Sequence, residues 1–203
     1  MNLARQGIGM TSQRTRVRMI ERLRQKGIVD EGVLAALAAV PRHVFVEEAL
    51  SSRAYEDTAL PLGFAQTISQ PYVVARMIEA LRAGRDSLGK TLEIGAGCGY
   101  QAAVLAQLTK EVYAVERIAP LLAKAKQNLR KIGQVEVRLK HADGQAGLPE
   151  AAPFETIIVS AAATTVPPDG VPPLACTSSL GVRKPSPSRS SRWKVIQSRR
   201  FHS

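Results

Sequence analysis

The chain has 203 residues, 45% of them hydrophobic, which is typical of an ordinary globular protein. Its formal net charge of +11 is concentrated in residues 5–26 and 164–203 without interleaved aromatic residues, so we predict no dedicated nucleic-acid surface. No apolar run approaches the ~18 residues of a membrane span, and the basic start lacks the apolar stretch of a secretory signal, which predicts a cytoplasmic protein without a membrane partner.

The first part of the chain predicts helices joined by one long loop. Residues 1–13 show no periodicity and are predicted to be disordered, and 16–25 read as a short helix. Asp30 is the expected N-cap of a second helix, because apolar residues follow it at helical spacing. Residues 51–71 show no clear period and contain Pro and Gly breakers, which predicts a long functional loop. Helical periodicity returns over 72–83.

From residue 90 the pattern changes to alternating strands and helices. This alternation predicts right-handed crossovers and an α/β fold with a doubly wound, mostly parallel sheet. The strands are expected at 91–96, 111–117, 135–143 and 154–162, and the helices at 102–108 and 120–131. Residues 164–203 are rich in Pro, Ser and Arg and are predicted to be a disordered tail outside a domain at 14–163.

A glycine-rich turn, LEIGAGCGYQ at residues 92–101, joins the first of these strands to a helix. Bare backbone at such a turn lets a ligand approach closely, and here it is provided by Gly95, Gly97 and Gly99. The dinucleotide fingerprint needs a glycine where Tyr100 stands, which disfavours a nicotinamide oxidoreductase. Glu93 suits a cofactor with an amino group, such as the methionine part of S-adenosylmethionine. Cys98 reads as a tolerated substitution, with oxidation sensitivity as a minor alternative.

Further acids stand at the ends of the next two strands. Glu116 ends the second strand, where an acid accepts hydrogen bonds from ribose hydroxyls. Asp143 and Gly144 end the third strand, where an acid can reach an adenine amino group. Since the carboxyl ends of parallel strands share one sheet edge, these residues together predict a nucleoside-type cofactor in that crevice. The two cysteines show neither metal-ligand nor disulfide spacing, and no metal is predicted.

At this point the sequence resembles a known family. LEIGAGCGYQ, VYAVER and HADG are similar to the motifs of class I S-adenosylmethionine-dependent methyltransferases. ALPLGFAQTISQP, the following YVVARMIEAL and the preceding VLAALAAVPRHVFV resemble the protein-L-isoaspartate O-methyltransferases specifically. The resemblance covers roughly residues 15 to 165, and QTISQP is its most specific part.

The resemblance implies a protein-repair enzyme. Members of the family methylate the free carboxylate of L-isoaspartyl residues, and the ester then cyclises to a succinimide that partly reopens as aspartate. The implied cofactor is S-adenosyl-L-methionine and the implied partners are isoaspartyl proteins and peptides, bound by a monomer. Ser69 matches the active-site serine and would hold the substrate carboxylate. Gln66 and Thr67 would help to cover cofactor or substrate, and Gln101 would touch the cofactor.

The chain departs from the family after SAAATTVP. The family continues with a helix, a Pro-Gly-Gly turn and further strands, whereas this sequence turns to repeated Pro, Ser and Arg. We therefore expect the last strands of the family's sheet to be missing. Our hypothesis for this departure is a change of reading frame near residues 164–168. Three functions stay open: a repair methyltransferase, a methyltransferase for another acceptor such as RNA, and a truncated chain that binds cofactor weakly or is inactive.

Overall fold

The computed structural model describes residues 9–160 and 195–197. In these ranges there are five α-helices: α1 Gln13–Gln25, α2 Glu31–Ala39, α3 Pro71–Arg82, α4 Tyr100–Leu105 and α5 Ala119–Lys131. The strands are β1 Leu60–Gly63, β2 Gln66–Ile68, β3 Thr91–Ile94, β4 Val112–Glu116, β5 Arg138–His141, β6 Thr156–Val159 and β7 Val195–Gln197. Within the described ranges, no helix is long and apolar enough to cross a membrane.

The helices before the sheet begin and end for local reasons that the sequence shows. Helix α1 starts at Gln13, earlier than predicted, and is followed by Gly27 with a φ of +89°, a conformation that favours glycine. Asp30 accepts a hydrogen bond from the backbone N–H of Val33 at 3.1 Å, so the predicted N-cap of α2 is confirmed.

The segment predicted to be a loop over 51–71 contains a β-hairpin. Strands β1 and β2 pair antiparallel, and the turn between them places Phe64 and Ala65 at φ +54° each. Non-glycine residues rarely adopt this conformation, so the sequence carries no hairpin signal at the turn. The Asp57 carboxylate accepts a hydrogen bond from the backbone N–H of Tyr72 at 2.8 Å, which fastens this segment to the start of α3.

The central sheet has the strand order β5–β4–β3–β6–β7, and all neighbouring strands are parallel. The predicted doubly wound, mostly parallel α/β fold is therefore confirmed. The chain builds outward from β3 through β4 to β5, then returns to β6 on the other side of β3. Ligands of such sheets bind outside the carboxyl ends of the strands at this switch point.

The sheet buries apolar side chains on both faces. The larger core cluster joins one face of the sheet to the helices that precede it and to α4 and α5, with Ile78, Ala114 and Leu129 among its members. The smaller cluster on the opposite face comprises Leu92, Val115, Leu148, Phe154 and Ile157. Because side chains alternate along a strand, Glu93 points to the face opposite Leu92, towards the larger cluster.

Strand β7 lies inside the stretch that the sequence predicted to be disordered. Val195 to Gln197 pair parallel with Ile157 to Val159 of β6. β-Branched residues favour strand structure, and the free edge of β6 offers unpaired backbone groups to them. The rest of the predicted tail, 164–194 and 198–203, lies outside the described residues, as do residues 161–163 at the end of the predicted domain and residues 1–8 of the predicted disordered start. Gly9–Thr11 of that start form a short 3-10 helix, so the prediction of disorder is wrong there.

Candidate active site

A cleft opens at the switch point between β3 and β6. The glycine turn forms one side of the cleft, and the end of the β1–β2 hairpin forms the other. Six of the predicted site residues line it: Thr67, Ser69, Glu93, Gly95, Gly97 and Gln101. The structure thus brings the segments QTISQP and LEIGAGCGYQ together, although residues 72–91 separate them in the chain.

The glycine turn needs glycine for two separate physical reasons. Gly95, Gly97 and Gly99 have φ values of +89°, +54° and +86°, which side chains disfavour. At Gly99 a Cβ would also lie only 3.2 Å from the Cβ of Ala125 on α5. The turn therefore keeps its backbone bare towards the cleft and packs closely on α5 behind it.

Replacing Gly99 with alanine tests the second reason. We expect Gly99→Ala to lower the free energy of unfolding by about 1–3 kcal/mol, because a left-handed backbone and a tight Cβ contact add. Gly84→Ala is the matched control, since Gly84 has a φ of +75° and open space around its Cβ. Chemical denaturation should show a larger loss for Gly99→Ala, and equal losses would contradict the packing argument.

Glu93 is a buried carboxylic acid at the centre of the cleft. Its Oε1 accepts a hydrogen bond from the Ser160 hydroxyl at 3.1 Å, and that hydroxyl oxygen accepts one from the Gln101 amide at 2.6 Å. Its Oε2 makes no hydrogen bond to any residue that the structure describes. Burial raises the pKa of Glu93 to about 8, and the charge of Glu116 adds to the rise while the Ser160 hydrogen bond opposes it.

Ser160 is a site residue that sequence reasoning missed. It follows β6, and its backbone N–H donates to the carbonyl of Ile94 at 2.8 Å, which sets its side chain beside Glu93. The contact depends on β6 lying next to β3 in the sheet. Only a prediction of the strand order could have pointed to Ser160, and none was made from the sequence.

Glu116 holds the glycine turn from the end of β4. Its two carboxylate oxygens accept hydrogen bonds from the backbone N–H groups of Gly97 at 2.8 Å and Ile118 at 2.9 Å. A carboxylate has about four acceptor positions, so each oxygen can accept a further hydrogen bond. Glu116 is nearly buried and does not line the cleft itself.

Four other predicted residues do not line the cleft. The Asp143 side chain is exposed and accepts a hydrogen bond from the backbone N–H of Gln145 at 3.0 Å. At Gly144 a Cβ would overlap the Cγ2 of Ile94, so the loop after β5 passes closely over the end of β3. Gln66 is exposed and does not line the cleft, and Gly99 lies on the α5 side of the turn.

Ser69 follows β2 on the hairpin side of the cleft. Its side chain is partly buried, whereas that of Thr67 on β2 is exposed. The carbonyl of Ser69 accepts a hydrogen bond from the Arg42 guanidinium at 2.7 Å. Thr67 and Ser69 line the same cleft as the glycine turn.

Cys98 is fully enclosed in the glycine turn. Burial raises the pKa of its thiol to about 11, although Arg42 and nearby backbone groups act in the opposite direction. Because the thiolate is the reactive form, this environment opposes the oxidation sensitivity considered from sequence. Asn128 of α5 donates a hydrogen bond to the Cys98 carbonyl at 3.1 Å, so the residue has a packing role.

The sheet order, the glycine turn after β3 and the acid at the end of β4 define the class: an α/β fold of the class I methyltransferase type. One solved protein-L-isoaspartate O-methyltransferase superposes with a TM-score of 0.67 at 31% identity, over 75% of this chain and 50% of that chain. A Plasmodium falciparum structure described as a putative protein-L-isoaspartate O-methyltransferase in complex with S-adenosyl-L-homocysteine has a TM-score of 0.65. At 21% identity, over 75% of this chain and 76% of that one, it shows the shared fold.

The sequence profile of the protein-L-isoaspartate(D-aspartate) O-methyltransferase family matches residues 14–175, and the chain belongs to this family. The match continues past residue 165, where the resemblance was expected to end. A protein-L-isoaspartate O-methyltransferase from Dechloromonas aromatica is 78% identical over 162 residues, 80% of this chain and 75% of that protein. One from Methylobacillus flagellatus is 65% identical over 169 residues, 83% of this chain and 75% of that protein.

Proposed function

We propose that this chain transfers a methyl group from S-adenosylmethionine to the free carboxylate of L-isoaspartyl residues in damaged proteins. One observation carries the proposal: Glu93, a buried acid whose Oε2 accepts no hydrogen bond from the residues that the structure describes, stands in the same cleft as Ser69 of QTISQP. Membership of the isoaspartate methyltransferase family supports the reaction and the acceptor.

The residues on the glycine side of the cleft fit the cofactor. The Oε2 of Glu93 has no hydrogen-bond partner in the part of the chain that the structure describes, and it is suited to accept hydrogen bonds from an ammonium group, since a buried acceptor without a partner is costly. Glu116 would accept hydrogen bonds from ribose hydroxyls at its remaining acceptor positions, and Asp143 would contact the base at the sheet edge. The cofactor supplies a methyl group on a sulfonium, already activated for transfer to a nucleophile.

The residues on the hairpin side have to orient the acceptor. An isoaspartyl carboxylate is already an anion at neutral pH, so the transfer needs no general base. The protein contributes by aligning the acceptor oxygen with the methyl group and by excluding water. In our proposal the Ser69 hydroxyl donates a hydrogen bond to the carboxylate, and Thr67 and Gln66 help to cover the bound cofactor or substrate.

Removing the Ser69 hydroxyl should therefore affect the transfer step. We expect Ser69→Ala to lower kcat for an isoaspartyl peptide about 10- to 100-fold, because the acceptor loses its alignment. The affinity for S-adenosylhomocysteine should stay within about twofold of the unchanged protein. Ser87→Ala, in the exposed turn before β3, is the control and should change neither quantity. Equal kcat values for Ser69→Ala and the unchanged protein would rule out the role assigned to Ser69.

The acceptor itself is tested with a panel of three substrates. The full chain is incubated with methyl-labelled S-adenosylmethionine and an isoaspartyl peptide, the same peptide with aspartate, or an RNA oligonucleotide. The proposal predicts base-labile label on the isoaspartyl peptide alone, because methyl esters hydrolyse in base. Label on RNA would favour another acceptor, and no label on any of the three, from cooperatively folded protein, would favour an inactive chain.

The proposal includes a monomer acting in the cytoplasm. Support comes from the composition and from Cys98, which is a free, buried cysteine in the described part of the chain. Light scattering across a range of protein concentrations measures the mass. A constant mass near the 21.9 kDa of one chain is expected, and a mass twice as large would contradict the monomer.

A further inference from the structure

One buried cation connects the two sides of the cleft. Arg42 lies in a short 3-10 turn, Arg42–Phe45, and its side chain has no solvent exposure. Its Nε donates to the carbonyl of Ala54 at 2.8 Å, and its Nη2 donates to the carbonyl of Ser69 at 2.7 Å. Its guanidinium carbon lies 4.7 Å from the centre of the Tyr100 ring, at the start of α4.

The partners of Arg42 are unusual for a buried charge. In the described part of the chain it forms no ion pair with a carboxylate, and its Nη1 has no hydrogen-bond partner. Burying a guanidinium without a counter-ion is costly, and main-chain carbonyls with one aromatic face compensate it only in part. This cost indicates that Arg42 is needed to position the groups it contacts, because an apolar side chain would fill the same space without burying a charge.

The contacts of Arg42 show which groups it positions. Ser69 and Tyr100 both line the cleft, Ser69 from the hairpin side and Tyr100 from the glycine side. The planar guanidinium presents donors in a fixed fork, so one group can hold the Ser69 carbonyl while its carbon lies over the Tyr100 ring. Arg42 therefore sets the position of the Ser69 backbone relative to the first turn of α4.

We infer that Arg42 is a positioning residue for methyl transfer, which acts by holding Ser69 opposite the glycine turn. The inference rests on the proposed function and on the role proposed there for Ser69. It assigns Arg42 no contact with the substrate or the cofactor. Its consequence is specific: a change at Arg42 should matter for catalysis only as long as Ser69 carries its hydroxyl.

The test is a double-mutant cycle with Arg42→Lys and Ser69→Ala. Lysine keeps the charge but loses the fork that reaches two carbonyls. We expect Arg42→Lys alone to lower kcat/KM for the isoaspartyl peptide about tenfold, with S-adenosylhomocysteine affinity within about twofold. In the Ser69→Ala background the same change should lower kcat/KM less than about twofold. A full tenfold loss of kcat/KM in both backgrounds would overturn the inference, because a general structural defect lowers kcat/KM by the same factor whether or not Ser69 carries its hydroxyl.

Arg16→Lys is the matched control. Arg16 is also a buried arginine that donates to a main-chain carbonyl, that of Ala38 at 3.0 Å, and lies near a tyrosine ring, that of Tyr55 at 5.8 Å. Both of these partners, Ala38 and Tyr55, lie before the hairpin in the chain. We expect a loss of thermal stability comparable with that of Arg42→Lys, and no coupling with Ser69→Ala. Coupling of equal size for both arginines would overturn the inference.

A second measurement separates this inference from the proposed function. Hydrogen–deuterium exchange of the unliganded full chain should show faster exchange across 66–70 in Arg42→Lys and unchanged exchange there in Arg16→Lys. If the unchanged protein methylates no peptide, the proposed function fails and this exchange result alone decides whether Arg42 positions Ser69. Should Arg42→Lys not melt cooperatively, Arg42→Gln replaces it in both measurements, because it removes the buried charge and keeps an amide donor. Unchanged exchange over 66–70 contradicts the positioning role.

Discussion

Glu93→Gln is expected to weaken S-adenosylhomocysteine binding and at the same time to stabilise the unliganded protein at pH 8. The loss of a buried carboxylate facing an ammonium group should lower the affinity about 10- to 100-fold, as for other hydrogen bonds to charged groups. The gain in stability follows from the pKa of Glu93, which burial raises from 4.5 to about 8. Calorimetric titration and thermal unfolding measure the two effects.

The sign of the pH dependence follows from linkage. A carboxyl group with a raised pKa in the folded state is protonated there while the unfolded chain has already ionised. Its contribution is therefore fully present below pH 4.5 and is lost as the pH rises to about 8. The loss is roughly 1.4 kcal/mol per pH unit over that window, and Glu93→Gln removes it. The variant should match the unchanged protein near pH 4.5 and exceed it at pH 8.

Glu79 is the matched control for this prediction. It is also a nearly buried carboxylate, but the backbone N–H groups of Val29 and Asp30 and the guanidinium of Arg76 hydrogen-bond to it and lower its pKa. Glu79→Gln should therefore reduce stability at pH 8 and leave cofactor affinity unchanged. A Glu93→Gln variant that loses stability at pH 8 as Glu79→Gln does would contradict our description of the Glu93 environment.

Glu116→Ala should have the other large effect, because one side chain serves the fold and the cofactor together. The change leaves the backbone N–H groups of Gly97 and Ile118 without their acceptor, which should cost about 2–4 kcal/mol of unfolding free energy. It also removes the acceptor for ribose hydroxyls, so S-adenosylhomocysteine affinity should fall about 10- to 100-fold. Denaturant unfolding and calorimetric titration measure these two losses.

The control is Glu79→Ala, which also deprives two backbone N–H groups of a carboxylate, those of Val29 and Asp30. It should lose a similar amount of unfolding free energy with no change in cofactor affinity at temperatures where it remains folded. If Glu116→Ala and Glu79→Ala lowered the affinity equally, the effect would reflect stability alone, and the ribose role of Glu116 would be wrong.

Much of the fold could be predicted because its signals are local. Apolar periodicity, the N-cap at Asp30 and the alternation of strands and helices after residue 90 depend on neighbours in the chain. The hairpin could not be predicted, because its turn uses Phe64 and Ala65 at positive φ, against the usual preference for glycine, asparagine or aspartate. Strand β7 could not be predicted either, because its three residues are too few to show a period.

The same difference between local and long-range signals applies to the residues of the site. Glu93, Glu116 and the glycine turn were predicted because strand ends and turns can be read from sequence. Ser160 and Arg42 were missed, since Ser160 depends on the order of strands and Arg42 on contacts across more than one element. A charged residue after a proline indicates a helix end or a surface, and nothing nearby in the sequence says that it will be buried.

The most direct test of the account is the position of S-adenosylhomocysteine in a crystal structure of the full chain grown with it. We predict that its ammonium group contacts Glu93, that its ribose hydroxyls contact Glu116 and that its sulfur faces the Ser69 side of the cleft. A ligand bound elsewhere, or one in the cleft that touches neither acid, would contradict the assignment of this cleft as the site of methyl transfer.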